Sequence, residues 1–346
     1  MRRAPLAALG LVLLLPGGSN AALPRLRAVI VSSATGAKLA ETTGAARPLS
    51  SAIGDGRGGF LVAGPQGLMR LRASGAVDAG FTPASGQIDR VVLASGVLVA
   101  AGPAGLRFLD PRTGAAVHPM LPLAPAGTRV FVGSIAASGS TVYVVGSTQR
   151  GQNGSSQLAF GASTRTGRRT AFHPVIRGGI ATGVAASGPV VYLAGSFRTV
   201  GGAARCGIAS VSGASGAVRT WKAETCLAEA PRAMQATPHS LFVGRLHGFL
   251  AVRADNGRRL SWSRRISQSF AAAGVGALAQ SGRTLNLGTV ADAAAVTIAG
   301  SRRAGFAALN TANGELRPFR VAVSPRQNGH VLAVARTRVL ASGSFS

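Results

Sequence analysis

The chain has 346 residues, 37 of them Lys or Arg against 10 Asp or Glu, for a formal net charge of +27; 47% are apolar and only 5% aromatic. The apolar fraction suffices for a packed core that Ala, Val, Leu and Gly must largely fill. The 48 glycines, without any long heptad or helical pattern, exclude a helix bundle and point to an all-β fold. Arginines are scattered singly and in pairs with no run of four, which argues against a nucleic-acid binder that tracks phosphates along one face.

The N-terminus reads as an export signal. Arg2 and Arg3 precede an apolar run over 4–15, Pro16, Gly17 and Gly18 break it, and Ser19, Asn20 and Ala21 offer small residues for cleavage before Ala22. The run falls short of the roughly 20 residues of a membrane span, and no Cys follows it to accept a lipid. Residues 1–21 are expected to be a signal peptide. Residues 22–346 are expected to form one domain outside the cytoplasm, secreted or held in the cell envelope, with no transmembrane segment.

From there a unit recurs. A short apolar strand closes on a small turn, a second strand ends in Gly, and a third and fourth strand flank another Gly. The flanked glycines are Gly36, Gly75, Gly114, Gly167, Gly216, Gly257 and Gly314, spaced by 39, 39, 53, 49, 41 and 57 residues. One four-stranded propeller blade per repeat spans that range. Second strands end at Gly64, Gly102, Gly146, Gly195, Gly244, Gly288 and Gly343. Near-continuous apolar runs such as Phe60-Leu61-Val62-Ala63 suit strands covered on both faces.

The two ends of the chain are complementary. Around Gly36 lie a third and fourth strand without a first and second, and the last unit, 331–346, has a first and second strand and stops. The expected fold is therefore a seven-bladed β-propeller of four-stranded antiparallel blades. Its ring is closed by N-terminal strands at 25–40 and C-terminal strands at 325–346 sharing one blade.

In such a meander the first-to-second and third-to-fourth links share one rim, and the remaining links share the other. The longer segments at 147–157, 196–205 and 289–303 all fall on that second rim, where loops on a rigid scaffold commonly carry function. Arg150, Arg198, Arg205, Arg302 and Arg303 lie within them and are the candidate binding residues.

The best-formed unit, from Val190 to Trp221, contains Gly195-Ser-Phe-Arg-Thr-Val-Gly-Gly202, then Arg205, Gly216 and Trp221. It resembles the GSFxxVGG repeat of exported bacterial β-propeller proteins. Phe108-Leu-Asp-Pro-Arg-Thr-Gly114 is similar to the looser repeat of propellers related to pyrroloquinoline-quinone dehydrogenases. The resemblance implies the fold. Quinoproteins of that kind use eight blades, Ca²⁺ held by acidic and amide oxygens, a catalytic Asp and a disulfide between adjacent cysteines. This chain counts to seven blades, has no adjacent Cys pair, and scatters Asp55, Asp78, Asp110, Asp255 and Asp292 through separate loops.

Cys206 and Cys226 are the only cysteines, and export with this spacing favours a disulfide between them. His118, His173, His239, His247 and His330 show no metal-ligand spacing, so neither a metal nor a cofactor is expected. Phe172, Trp221, Trp262 and Phe319 follow the flanked Gly by five residues and Phe81 by six, a phase that reads as packing between blades. Gly54-Asp-Gly-Arg-Gly-Gly59 matches a nucleotide-loop pattern by letters but precedes a strand, not a helix. Asn153-Gly-Ser155 reads as an exposed loop.

These observations together favour a non-catalytic binding or scaffold module, engaging a protein, a glycan or an anionic envelope polymer through the long-loop face. A quinoprotein-like or glycan-cleaving enzyme acting at the central channel is the alternative.

Overall fold

A computed structural model of the chain describes residues 26–42, 49–83, 85–151, 155–227, 229–269, 274–289, 296–298, 301–303, 305–321 and 331–344. The expected leader at 1–21, the sequon at Asn153, Asp292 and His330 lie outside them.

Among the described residues, seven principal antiparallel sheets follow one another along the chain. Sheet one holds Ser51–Gly54, Phe60–Gly64 and Gly67–Leu71, and sheet two Arg90–Ala94, Val97–Gly102, Gly105–Leu109 and Ala116–Leu121. Sheet three holds Arg129–Ser138, Thr141–Gln149 and Ser156–Ser163, and sheet four Ala181–Ser187, Val190–Gly195 and Ile208–Ser212. Sheet five holds Ala233–Ala236, Ser240–Arg245 and Gly248–Arg253, and sheet six Ala277–Ser281, Thr284–Gly288 and Phe306–Asn310. In each three-stranded sheet the fourth position is reduced to one bridge, Val211 to Val218 in sheet four for example. Short outer strands of this kind leave little open edge for another chain to pair with.

Sheet seven joins the two ends of the described chain. Its order runs Lys38–Glu41, Leu26–Ser32, Arg338–Ser344, Val331–Ala335, with Val29 opposite Ala341 and Ile30 opposite Leu340. The first strands of successive sheets touch in sequence from Ser51–Gly54 through to Ala277–Ser281. Val331–Ala335 then touches both Ala277–Ser281 and Ser51–Gly54.

Apolar side chains fill the spaces between sheets. Alternation along each strand sends successive residues to opposite neighbours. Ala28 and Ile30 pack with Phe60 and Val62 of sheet one, whereas Val29 and Val31 pack with Phe306, Ala308 and Phe319 of sheet six. Leu61 and Ala63 in turn face Val91, Leu98 and Ala100 of sheet two. Burial on both faces is why these strands read as unbroken apolar runs. The aromatic column is interior: Phe172 and Phe319 are fully buried and Phe81, Trp221 and Trp262 nearly so. Tyr143 meets Phe172 edge-on at 4.7 Å and Tyr192 meets Trp221 at 5.3 Å.

The seven flanked glycines carry φ between +69° and +85°. Each packs against the outermost residues of the preceding sheet. A Cβ on Gly114 would lie 2.8 Å from the Pro83 nitrogen, and one on Gly216 2.5 Å from that of Pro174. Glycine is required both by the left-handed backbone and by the close approach. Hydrogen bonds reinforce these joins: Thr82 N–H donates to Thr113 C=O, His173 to Ser215, and Arg320 to Thr35 at 2.8 Å.

One element departs from the sequence expectation. Ser261–Ser269 is an α-helix, placed where a connection to sheet six was expected. Trp262 and Ile266, one turn apart, enter the apolar cluster between sheets five and six. The Ser263 hydroxyl accepts a hydrogen bond from Ala251 N–H at 3.1 Å. Two apolar residues in nine are too few to set a helical period in the sequence.

Candidate binding face

The strand order fixes two rims. The turns between first and second strands and those at the flanked glycines occupy one. The second-to-third links and the crossings between sheets occupy the other. On this second rim the long segments are partly built structure. Thr141–Gln149 and Ser156–Ser163 extend the pairing into this segment, with Arg129 opposite Gln149 and Thr148 opposite Ser156. The first expected loop is therefore in large part the end of a long sheet. The second forms a small sheet in which Ile176–Arg177, Thr199–Val200 and Ala203–Ala204 pair. The third carries a hairpin of Val296–Ile298 with Ser301–Arg303.

The five candidate arginines separate by environment. Arg150, Arg198 and Arg302 are exposed. Arg205 is half-buried, and its guanidinium is held by the carbonyls of Ala204 at 2.8 Å and Arg219 at 2.7 Å. Arg303 is 7% exposed and donates to the Arg302 carbonyl at 3.1 Å. Burial, with Arg320 nearby, holds it below the usual arginine range. The expectation that Arg303 lines the open face is therefore corrected. It pairs opposite Val296 in the short hairpin, and that register turns it inward. Backbone contacts bring Arg198 and Arg205 together with Arg177: Arg198 N–H donates to Arg177 C=O and Arg205 N–H to Arg198 C=O. Arg150 and Arg302 belong to sheets three and six and are not part of that group.

Cys206 and Cys226 are bonded, with Cα atoms 4.8 Å apart. The bridge ties the start of the third strand of sheet four to the crossing toward sheet five. Leu227 N–H donates to Cys206 C=O beside it.

Where the first strands begin, the second rim opens into a cleft of about 570 Å³ lined by Arg90, Ser134, Thr182, Glu229, Arg232 and Leu246 among others. Through Arg90, Ser134 and Arg232 it meets the space of about 400 Å³ enclosed by the first strands. Gly133 and Thr182 also border a groove of about 700 Å³ beside Pro103, Arg129, Phe131 and Val132. Arg90 is half-buried and gives its guanidinium to the carbonyls of Gly133 at 3.0 Å, Asp89 at 2.9 Å and Ser50 at 3.4 Å. Burial lowers its pKa, an effect the Asp89 carboxylate partly offsets. Both carboxylates on this part of the rim have partners: Asp89 accepts from Gln87 Nε2 at 2.8 Å, and Glu229 meets His247 Nδ1 at 3.1 Å.

Sequence reasoning missed Arg90, Phe131, Thr182 and Arg232. All four lie at or near the beginnings of first strands. That shared phase was the available signal, but only the contacts between successive first strands make those positions neighbours.

The opposite rim is also rich in arginine, but several of its carboxylates are paired. Arg70 meets Asp55 at 3.1 Å and Arg253 meets Asp255 at 2.7 Å, while Asp110 accepts the N–H groups of Arg112 and Thr113. Net charge alone therefore does not distinguish the rims. Among the described residues, no three His, Cys, Asp or Glu side chains gather as a metal site.

No protein-family model matches the sequence, and no curated protein matches it. Solved structures do resemble the fold. A chain of a mitotic checkpoint complex superposes with a TM-score of 0.58 at 12% identity, covering 99% of each chain. The Pan2 WD40 domain of Neurospora crassa gives 0.55 at 10% identity, over 86% of this chain and 90% of that one. An extracellular domain of a two-component system from B. thetaiotaomicron gives 0.53 at 13% identity; it covers 88% of this chain, which spans 38% of that protein. The small antiparallel sheets and these likenesses together make the fold a β-propeller-like one.

Proposed function

We propose that the chain is an exported seven-bladed β-propeller, closed by the blade that its two ends share, and that it is a non-catalytic binding module using the second rim. Support for the closed ring comes from the pairing of Leu26–Ser32 with Arg338–Ser344 and the cyclic order of first-strand contacts. Support for export comes from the leader-like sequence at 1–21 and the disulfide. The GSFxxVGG-type repeat accords with both.

The observation that carries the binding role is the cleft on the second rim. There Arg90 is spent on carbonyls and Arg232 stands exposed, while the adjacent carboxylates are engaged elsewhere. A concave basic mouth on a rigid ring fits a partner bearing negative charge, an envelope protein or an anionic envelope polymer. The test replaces Arg150, Arg198 and Arg302 together by Ser and measures retention on envelope fractions at two salt concentrations. Arg57, Arg165 and Arg258, exposed on the opposite rim, form the matched control triple. Loss confined to the first triple is expected; equal loss in both would reduce the interaction to bulk charge and overturn the assignment of the face.

A further inference from the structure

We infer that the cleft and the groove beside it take an extended acidic segment of a partner protein, with carboxylates at Arg232 and Arg129 and an apolar side chain against Phe131. This rests on the second rim being the binding face and names the chemistry of what it holds.

Three observations converge. The first is apolar exposure. Phe131 is 51% exposed in the groove and Leu246 38% exposed in the cleft, beside Pro103, Val132 and Met234. Among the described residues, the other large exposed apolar side chains are Leu39, Val77, Val117 and Met120 in fourth strands and Val175 in a crossing. None belongs to a tight turn of the opposite rim. A purely polyanionic ligand would leave Phe131 and Leu246 unused.

The second is the absence of a sugar platform among the described residues. Tyr143, Tyr192, Trp221 and Trp262 are all buried, with Phe131 the one exposed aromatic ring. Carbohydrate recognition by stacking has nothing broad to stack on there.

The third is polar. Arg129 borders the groove and Arg232 the cleft; both are exposed and make no side-chain hydrogen bond or ion pair among the described residues. Thr182, half-buried, borders both hollows.

Sheet three also supplies a template for an extended chain. Its first strand, Arg129–Ser138, stands at the edge of the sheet, so no strand among the described residues is hydrogen-bonded along its other side. The pairing shifts register between Val132 and Ser134, which sets Arg129–Val132 apart as the projecting part. Four residues of strand extend for roughly 13 Å, enough for a peptide to lie along. Anchoring an apolar side chain while satisfying the backbone is how strand-like peptides are recognised.

The test is selection from a displayed library of random twelve-residue peptides, followed by fluorescence anisotropy of the enriched sequences against wild type, Arg232→Ser and Phe131→Ser. Both positions are exposed, and circular dichroism confirms that each variant is folded. Enriched peptides should pair Asp or Glu with a large apolar residue and bind each variant at least tenfold more weakly. Polyphosphate serves as the polymer probe: competition as effective on Phe131→Ser as on wild type would identify an anionic polymer instead and overturn the inference. So would enrichment of neutral or basic peptides, or no enrichment. The Arg150, Arg198 and Arg302 triple separates the two readings. If it abolishes envelope retention while no acidic peptide is selected, the face stands and this inference falls.

Discussion

Replacing Gly36 by Ala, beside Gly96→Ala as its partner variant, isolates the energy of docking one sheet on the next. Both glycines have φ +80°, so both variants carry the same left-handed strain, about 1 kcal/mol. Their surroundings differ. A Cβ on Gly96 meets no heavy atom within 4 Å, whereas one on Gly36 falls on the backbone of Arg320. Backbone cannot rotate away as a side-chain tip can, so Gly36→Ala must push the N-terminal turn off the end of sheet six. The push adds overpacking of roughly 1–3 kcal/mol and breaks the Arg320 to Thr35 hydrogen bond, a further ~1 kcal/mol. Urea unfolding followed by circular dichroism should place Gly96→Ala about 1 kcal/mol below wild type and Gly36→Ala about 3 kcal/mol or more below it. Two variants within ~0.5 kcal/mol of each other would refute the reasoning, because the turn would then not be pressed against its neighbour.

Opening the disulfide with Cys206→Ser and Cys226→Ser closes off a constraint on a loop of sequence separation 20. It should lower unfolding free energy by ~3 kcal/mol; equal stability of wild type with and without reductant would count against the bridge. Stability should also fall in acid. Asp78 is lowered by its hydrogen bond from Arg72, Asp110 by the N–H groups of Thr113 and Arg112, and Asp255 by Arg253. A folded-state pKa below the unfolded value gives stability that is present above the unfolded pKa and lost as pH falls through the folded one. The thermal midpoint should therefore hold from pH 7 to about pH 5 and drop as pH passes below the ordinary carboxylate value of 3.8. Asp110→Asn should shrink that drop, and a midpoint unchanged down to pH 2.5 would contradict the assignment.

Much of the architecture was legible because it is local and repeated. A left-handed turn needs glycine wherever it occurs, and a strand covered on both faces needs an unbroken apolar run. Both requirements recur with each sheet and so leave a period in the sequence. The complementary ends were readable for the same reason, since a half-unit at each end is visible as a break in phase. The helix at Ser261–Ser269 was not, because Trp262 already fits the aromatic column and Ile266 alone adds too little to set a helical period.

The candidate face followed a different logic. Sequence placed five arginines in long links, but whether an arginine meets solvent depends on the register of its strand and on what lies across from it. Register turned Arg303 inward, and the carbonyls of Ala204 and Arg219 tied down Arg205, while Arg150, Arg198 and Arg302 stayed free. The cleft was out of reach altogether. Arg90 and Arg232 are 142 residues apart in the chain and line one mouth only because the beginnings of successive first strands converge there. Covalent order determined the repeat, the turns and the strand faces, all of which depend on neighbours a few residues away. Tertiary structure alone decided which charges share a cavity, because that is a property of distances between sheets that no local pattern encodes.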